Sequence, residues 1–291
     1  MSAPRVLVTG ATGLIGRHLA APLEQRGYEV VTLSRSYGDV SGDLLADPEG
    51  VVQRAGATHL IHLAWHDAPI ARMTAPENLD WAVASLRLLR AFVANGGSRA
   101  VMVGSCAEYD WTGAGRLSEG APLKPATPYG AAKAATGIAA LGLAKPLGVS
   151  LVWARPFFLY GPGESKGRLF GDILKGLAAG ETVDCTDGLQ RRDFLHAADV
   201  AGALAHLLAS DLEGPVNIGS GQAVEVREMI AALARALGRE HLIRLGARPR
   251  PLDDPPLIEA DVTRLAATGF RPTHDIESGI RAVLTAEGMP A

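Results

Sequence analysis

The sequence predicts a doubly wound α/β fold, a mostly parallel sheet with helices on both faces. Three observations carry this expectation. Short apolar runs alternate with helical patterns, a glycine-rich turn follows the first run, and Gly and Pro become denser after Arg155 as the alternation weakens. Strands buried on both faces read as continuous apolar runs, and their alternation with helices marks a parallel sheet.

The elements follow in order. Val6, Leu7 and Val8 form the first strand. After the turn Thr9-Gly10-Ala11-Thr12-Gly13-Leu14-Ile15-Gly16, the apolar residues Ile15, Leu19 and Leu23 recur at the spacing of one helix face, and Gly27 ends that helix. Val30-Val31-Thr32-Leu33 is the second strand. Further strands are expected at 59–63, 100–103, 150–154 and 216–218, and helices near 78–93, 128–144 and 197–209. No internal repeat is present.

Composition excludes several classes. The 291 residues are 47% hydrophobic, ample for a buried core. The net charge of −3 offers no basic field for nucleic acid or an anionic membrane surface, so any phosphate recognition must be local. No apolar stretch reaches the roughly 18 residues of a membrane span. The stretch from Met1 to Arg5 has no apolar signal core, and Cys106 and Cys185 form neither a CxxC pair nor a disulfide framework. A cytoplasmic protein is expected. His62 and His66 flank Trp65 without metal-ligand spacing, so no metal site is expected.

Gly10, Gly13 and Gly16 sit between a strand and a helix. The first glycine permits a tight turn, the second lets backbone approach a pyrophosphate, and the third lets helix pack close to strand. A helix N-terminus then offers free N–H groups to an anion. This position in the first βαβ unit points to a dinucleotide-binding Rossmann fold. The TGATGLIG stretch resembles the extended short-chain dehydrogenase/reductase superfamily, whose members include NAD(P)-dependent nucleotide-sugar epimerases, dehydratases and reductases. The resemblance runs along nearly the whole chain.

Residues 1–155 are then expected to form the dinucleotide-binding domain, with 188–212 returning to it, and 156–187 with 213–291 to form a smaller substrate lobe. Gly10, Thr12, Gly13, Leu14, Ile15 and Gly16 are the candidate cofactor cradle. The second strand ends in Leu33-Ser34-Arg35. No carboxylate stands there to bind a ribose hydroxyl, and Arg35 suits a 2′-phosphate, which favours NADP over NAD. The resemblance implies further cofactor contacts at Asp43 and Leu44, at Leu63, Ala64 and Trp65, and at Pro156.

Tyr129 and Lys133 stand four apart, so both face one side of a helix that Thr127 caps and Pro128 opens. A phenol is a poor base near neutral pH, and a nearby ammonium makes it a better one. Lys133 can also hold a ribose. Ser105, ending the strand at 100–103, is the third member of the catalytic set that the resemblance implies. The sugar 4,6-dehydratases of this superfamily carry Asp and Glu directly after that hydroxyl. Here the positions are Cys106 and Ala107, which disfavours elimination of water.

On the substrate side, Arg155-Pro156-Phe157-Phe158-Leu159-Tyr160-Gly161-Pro162-Gly163 resembles the superfamily's R-x-x-N-V-Y-G-P-G segment, with Phe158 in place of Asn. Arg192, in a stretch resembling G-x-Q-x-R-D-F-x-H, is expected at the diphosphate, where a guanidinium suits bidentate recognition. Arg250 is a second candidate. Cys106, Ala107 and Phe158 complete the substrate set. The leading expectation is an NADP- or NAD-dependent 4-ketoreductase of a nucleoside-diphosphate deoxysugar. A nucleotide-sugar 4-epimerase retaining NAD and a non-catalytic dinucleotide-sensing regulator are the alternatives. The resemblance also implies a homodimer through the helices near 78–93 and 128–144.

Overall fold

The computed structural model describes residues 3–36, 38–66, 68 and 71–290; Met1 and Ser2, part of the N-terminal stretch read above, lie outside them. Strands β1 (Arg5–Thr9), β2 (Glu29–Ser34), β3 (Val40–Ser41), β4 (His59–His62) and β5 (Arg99–Val103) alternate with helices α1 (Ala20–Glu24), α2 (Pro48–Ala55) and α3 (Asn78–Ala94). Short β6 (Arg116–Leu117), helix α4 (Pro128–Leu147) and strands β7 (Ser150–Pro156) and β8 (Phe158–Tyr160) follow. Next come α5 (Leu169–Ala179), β9 (Val183–Asp184), β10 (Arg191–Arg192), β11 (Phe194–His196), α6 (Ala197–Leu208) and β12 (Gly214–Ile218). The chain closes with β13 (Val224–Glu225), α7 (Val226–Ala236), β14 (Ile243–Arg244), β15 (Leu257–Ala260), α8 (Thr263–Ala267) and α9 (Ile276–Ala286).

Seven strands form one sheet in the order β12-β7-β5-β4-β1-β2-β3. Every pair in it is parallel. Side chains alternate between its faces, and both faces are buried. Val8, Val103 and Ala154 meet Leu19, Leu23 and the α6 residues Val200 and Leu204 on one side. Leu7, Leu60, Met102 and Trp153 meet α2, α3 and α4 on the other. The sheet is thus the doubly wound Rossmann arrangement that the alternation predicts.

Helix α4 forms where the sequence places it. The Thr127 side chain accepts from the Gly130 N–H, Pro128 takes the first turn, and Gly148 ends the helix with a left-handed φ of 71°. Its approach to the sheet depends on Gly137. A methyl group there would lie 2.5 Å from the Trp153 ring, which lies under the helix.

Three details depart from the sequence reading. The helix after the glycine turn is not continuous: a 3₁₀ turn at Gly16–His18 precedes α1. Pro22 has no N–H to give the His18 carbonyl, so a regular ladder cannot run through this stretch. Strand β7 continues through Pro156, past the expected boundary at 155. Strand β12, expected within the 213–291 lobe, is instead the edge strand of the main sheet and pairs Gly214–Ile218 with β7. The remaining C-terminal elements build a separate core from Phe170, Leu174, Met229, Leu233, Ile280 and Leu284 on α5, α7 and α9. Beside it, β13-β10-β15-β6 form a small mixed sheet.

Gly137→Ala is expected to destabilise the protein by about 1–3 kcal/mol through overpacking against Trp153. A lowered urea midpoint with an unchanged slope measures this.

Candidate active site

The site starts at the carboxyl ends of β1, β4 and β5, where a doubly wound sheet leaves a crevice. The turn after β1 bends at Gly10, whose φ is 73°. At Gly16 a methyl group would lie 2.1 Å from the Gly10 carbonyl oxygen, so only glycine lets the chain fold back this tightly. Gly10, Gly13, Leu14, Ile15 and Gly16 line a cavity of about 510 Å³. Exposed Gly13 leaves its backbone open to a ligand, which suits the pyrophosphate of a dinucleotide.

Ser105 is fixed by a capping box. Its hydroxyl accepts from the Ala107 N–H at 3.2 Å, and its own N–H donates to Glu108 Oε1 at 2.8 Å. Glu108 is fully buried. It also accepts from Trp153 Nε1 at 3.1 Å and from Arg155 Nε at 2.7 Å. Arg155 Nη1 donates to the Tyr109 hydroxyl at 3.1 Å, and that hydroxyl donates to Asn217 Oδ1 at 2.6 Å. One chain of polar contacts therefore joins the loop after β5 to β7 and to β12.

Tyr129 and Lys133 face the same cavity as Ser105 from the first two turns of α4. Half-buried Tyr129 has its hydroxyl held above the usual phenol range by burial, while the Arg72 charge and a hydrogen bond with the Ser105 side chain pull the other way. Lys133 is only 3% exposed. Burial draws its ammonium down to about 7, against the Glu108 charge, which holds it up. Its Nζ donates to the Val103 carbonyl at 2.8 Å and lies 3.7 Å from the centre of the Trp65 ring. Trp65 is anchored through Nε1 to Asn78 Oδ1 at 2.8 Å.

Leu63, Trp65 and Pro156 also line the cavity, as do Cys106, Ala107, Phe158 and Arg192. Cys106 is buried, and desolvation pushes its thiol up to about 12, so it is a small apolar wall and not a reactive group. The Arg192 guanidinium is paired with Asp254 and lies over the Phe158 ring. Its Nη1 donates to the Pro255 carbonyl at 2.9 Å.

Other residues singled out in the sequence do not line this cavity. Arg250 is a correction: its guanidinium lies 3.7 Å from Asp187, outside the cavity. The chain reverses at 251–254, where Asp254 enters the cavity wall in its place. Leu44 is also a correction, because its side chain packs into the sheet core with Val51 and Leu33. Exposed Asp43 accepts from the Leu45 N–H at 2.9 Å. Ala64 rests on Gly10, its N–H donating to Thr9 Oγ1 at 3.3 Å. Exposed Thr12 and Arg35 and half-buried Ser34, at the ends of β1 and β2, do not line the cavity.

A model of the NAD dependent epimerase/dehydratase family matches residues 6–219. The chain belongs to this family. The GDP-6-deoxy-D-mannose reductase of Pseudomonas aeruginosa is 30% identical over 308 residues, spanning 97% of this chain and 96% of that protein. The UDP-glucose 4-epimerase of Corynebacterium glutamicum is 26% identical over 93% of this chain and 91% of its own. The solved UDP-glucose 4-epimerase of Thermus thermophilus, in complex with NAD, superposes with a TM-score of 0.85 at 26% identity, covering 97% of this chain and 98% of that one.

In this member of the NAD dependent epimerase/dehydratase family, the cavity gains residues that the sequence reading passed over. Arg72, Trp111, Glu164, Arg168 and Gln190 all line it. They come from loops and one short 3₁₀ turn, Ala71–Met73, with no regular spacing, so periodicity gives no sign of them. Burial pushes the Glu164 carboxyl up to about 7, although Arg168 lies beside it.

His62 supports the end of β1, before the glycine turn, from behind. The Ser85 hydroxyl donates to the Trp81 carbonyl, so it accepts from His62 Nε2 at 2.8 Å. His62 Nδ1 then accepts from the Thr9 hydroxyl at 2.7 Å, and Thr9 accepts from Ala64. The ring is neutral, and burial lowers its pKa from 6.5 to about 3. Such a group takes up a proton in the unfolded chain first, so its contribution to stability is lost as pH falls below 6.5 and levels off near 3. Wild type should therefore lose roughly 3 kcal/mol to this residue alone between pH 7 and 4. Urea midpoints across that range should fall less steeply in His62→Gln.

Proposed function

We propose that the protein is an NADP-dependent reductase of a 4-keto sugar carried on a nucleoside diphosphate. One observation carries this reading: Ser105, Tyr129 and Lys133 line one cavity with the glycine turn, while the two positions that would eliminate water hold Cys106 and Ala107. When bound, the nicotinamide supplies hydride chemistry. The rest falls to this chain. Tyr129 gives its proton to the carbonyl oxygen as that oxygen becomes an alcohol. Ser105 donates to the same oxygen and orients it. Lys133 holds the ribose, and its charge favours the phenolate of Tyr129.

Substrate class follows from the walls. Cys106, Ala107, Trp111 and Phe158 give the sugar end an apolar lining, which suits a deoxygenated carbon. Arg192 is the residue proposed for the diphosphate, and binding there requires it to share Asp254. The preference for NADP rests on Arg35 at the end of β2. The carboxylate nearest in sequence, Asp39, is engaged by the Thr32 N–H and hydroxyl, each at 2.8 Å. The name and extent of the Pseudomonas aeruginosa relative support a reductase. The epimerase relatives favour a second reading, a 4-epimerase that keeps NAD bound.

Tyr129→Phe should lower kcat by about 10²–10⁴-fold with little change in dinucleotide affinity. Incubation of a panel of 4-keto sugar nucleotides with NADPH, read by mass spectrometry and proton NMR of the sugar, should give one alcohol and consume NADPH. Tightly copurifying NAD and interconversion of two hydroxyl epimers without net reduction would overturn the reductase reading in favour of the epimerase.

We further propose a homodimer through α3 and α4. Exposed apolar side chains mark both helices: Leu79 at 68%, Val83 at 51%, Ile138 at 63% and Leu143 at 41%. Light scattering should give twice the chain mass for wild type and a shift toward monomer for Ile138→Glu.

A further inference from the structure

Half-buried Arg72 lines the cavity beside Tyr129, its guanidinium carbon 5.3 Å from the centre of that ring. Among the described residues it pairs with no carboxylate, its side chain donates no hydrogen bond, and its buried Nε meets no acceptor. The carboxylates around the cavity are engaged elsewhere. Glu108 holds Arg155, Asp254 holds Arg192, and Glu164 takes Arg168 and accepts from the Gly171 N–H at 2.8 Å. A buried donor without a partner costs stability, and it persists where a ligand completes it.

The turn that carries Arg72 is held in place. Asn78 is 2% exposed, and its Nδ2 donates to the Arg72 carbonyl at 2.6 Å and to the Ala75 carbonyl at 2.8 Å. The Oδ1 of the same amide accepts from Trp65 Nε1 at 2.8 Å. Trp65 in turn stands edge-on to Tyr129, with ring centres 6.4 Å apart. Arg72 and the aromatic pair are thus fixed to one buried amide, and the guanidinium is preorganised at the reacting end of the cavity.

We infer that Arg72 is a specificity-determining residue that binds a carboxylate on the substrate's sugar, in place of the hydroxymethyl group on the ring carbon next to the one that reacts. Tyr129 marks where the sugar reacts, so an anion within reach of Arg72 belongs to the sugar. The diphosphates have other proposed partners, the glycine turn for the dinucleotide and Arg192 for the substrate. One cation without a counter-charge fits one negative charge, and a planar guanidinium meets a carboxylate with two parallel hydrogen bonds. The apolar wall of Cys106, Ala107, Trp111 and Phe158 comes from the loop after β5 and from β8, and takes a different part of the ring.

This inference rests on the reading of the cavity as a nucleotide-sugar site, and binding tests it without turnover. Calorimetry on the full chain, saturated with NADPH or NADH so that no alcohol is oxidised, compares UDP-glucuronate with UDP-glucose and GDP-mannuronate with GDP-mannose. In at least one pair the acid should bind about 10²-fold more tightly than the neutral sugar. Arg72→Gln should remove that preference and leave the Kd of the neutral sugar and of the dinucleotide unchanged, while Arg72→Lys should keep part of it. Circular dichroism checks folding, and Arg72→Met replaces Arg72→Gln if the latter does not fold. Equal binding of acid and neutral sugar by wild type in both pairs, or a preference that survives Arg72→Gln, overturns the inference. An equal loss of both sugars in the variant assigns Arg72 to the diphosphate, and a loss of dinucleotide affinity assigns it to the cofactor; either result overturns it too. Turnover of neutral 4-keto sugars without any preference for the acid overturns this inference alone. Failure of every nucleotide sugar to bind, with the dinucleotide still bound, overturns the proposed function along with it.

Discussion

The site depends on one buried carboxylate. Glu108 binds the Ser105 backbone, the Trp153 indole and the Arg155 guanidinium at once, with no exposure to water. A buried ion pair adds little stability beyond what a well-packed apolar pair would give, yet losing one partner leaves a charge stranded. What the arrangement supplies is geometry. It fixes the loop after β5, and so the direction in which the Ser105 hydroxyl points. The Trp153 ring that donates to Glu108 is the surface on which α4 rests at Gly137, so the same contacts set the height of Tyr129 above the sheet.

The three proposed catalytic side chains are thus positioned by different forces. Ser105 is set by hydrogen bonds, Tyr129 by helix seating against an apolar wall, and Lys133 by a carbonyl and an aromatic face. None of them is placed by contact with the other two alone. The buried thiol of Cys106 fills volume in the wall beside them.

Much of this was legible in the sequence. The strands of the sheet, the capped start of α4 and the glycine turn follow from local rules about apolar runs, caps and backbone freedom. So does the gathering of Tyr129 and Lys133 on one face. What stayed hidden depends on distant parts of the chain. Strand β12 joins the main sheet through its ladder with β7, and Asn217 in it reaches the Tyr109 hydroxyl and the Leu117 carbonyl, contacts that no local pattern announces. Arg250 is drawn to Asp187, and Asp254 meets Arg192, through a reversal rich in proline whose path spacing cannot give. Arg72 lies on a single 3₁₀ turn, too short to have a period.

The return of β12 to the sheet edge has a consequence for how such a protein changes over evolutionary time. The chain leaves the main sheet after β7, packs α6 back onto it and returns as its edge strand β12, so the sheet and the smaller C-terminal core share backbone ladders and a common polar chain from Glu108 to Asn217. Neither half is a module that recombination can lift out and replace. New specificity must come from loop substitutions within one inherited chain, which is consistent with relatives of different activity aligning here almost end to end.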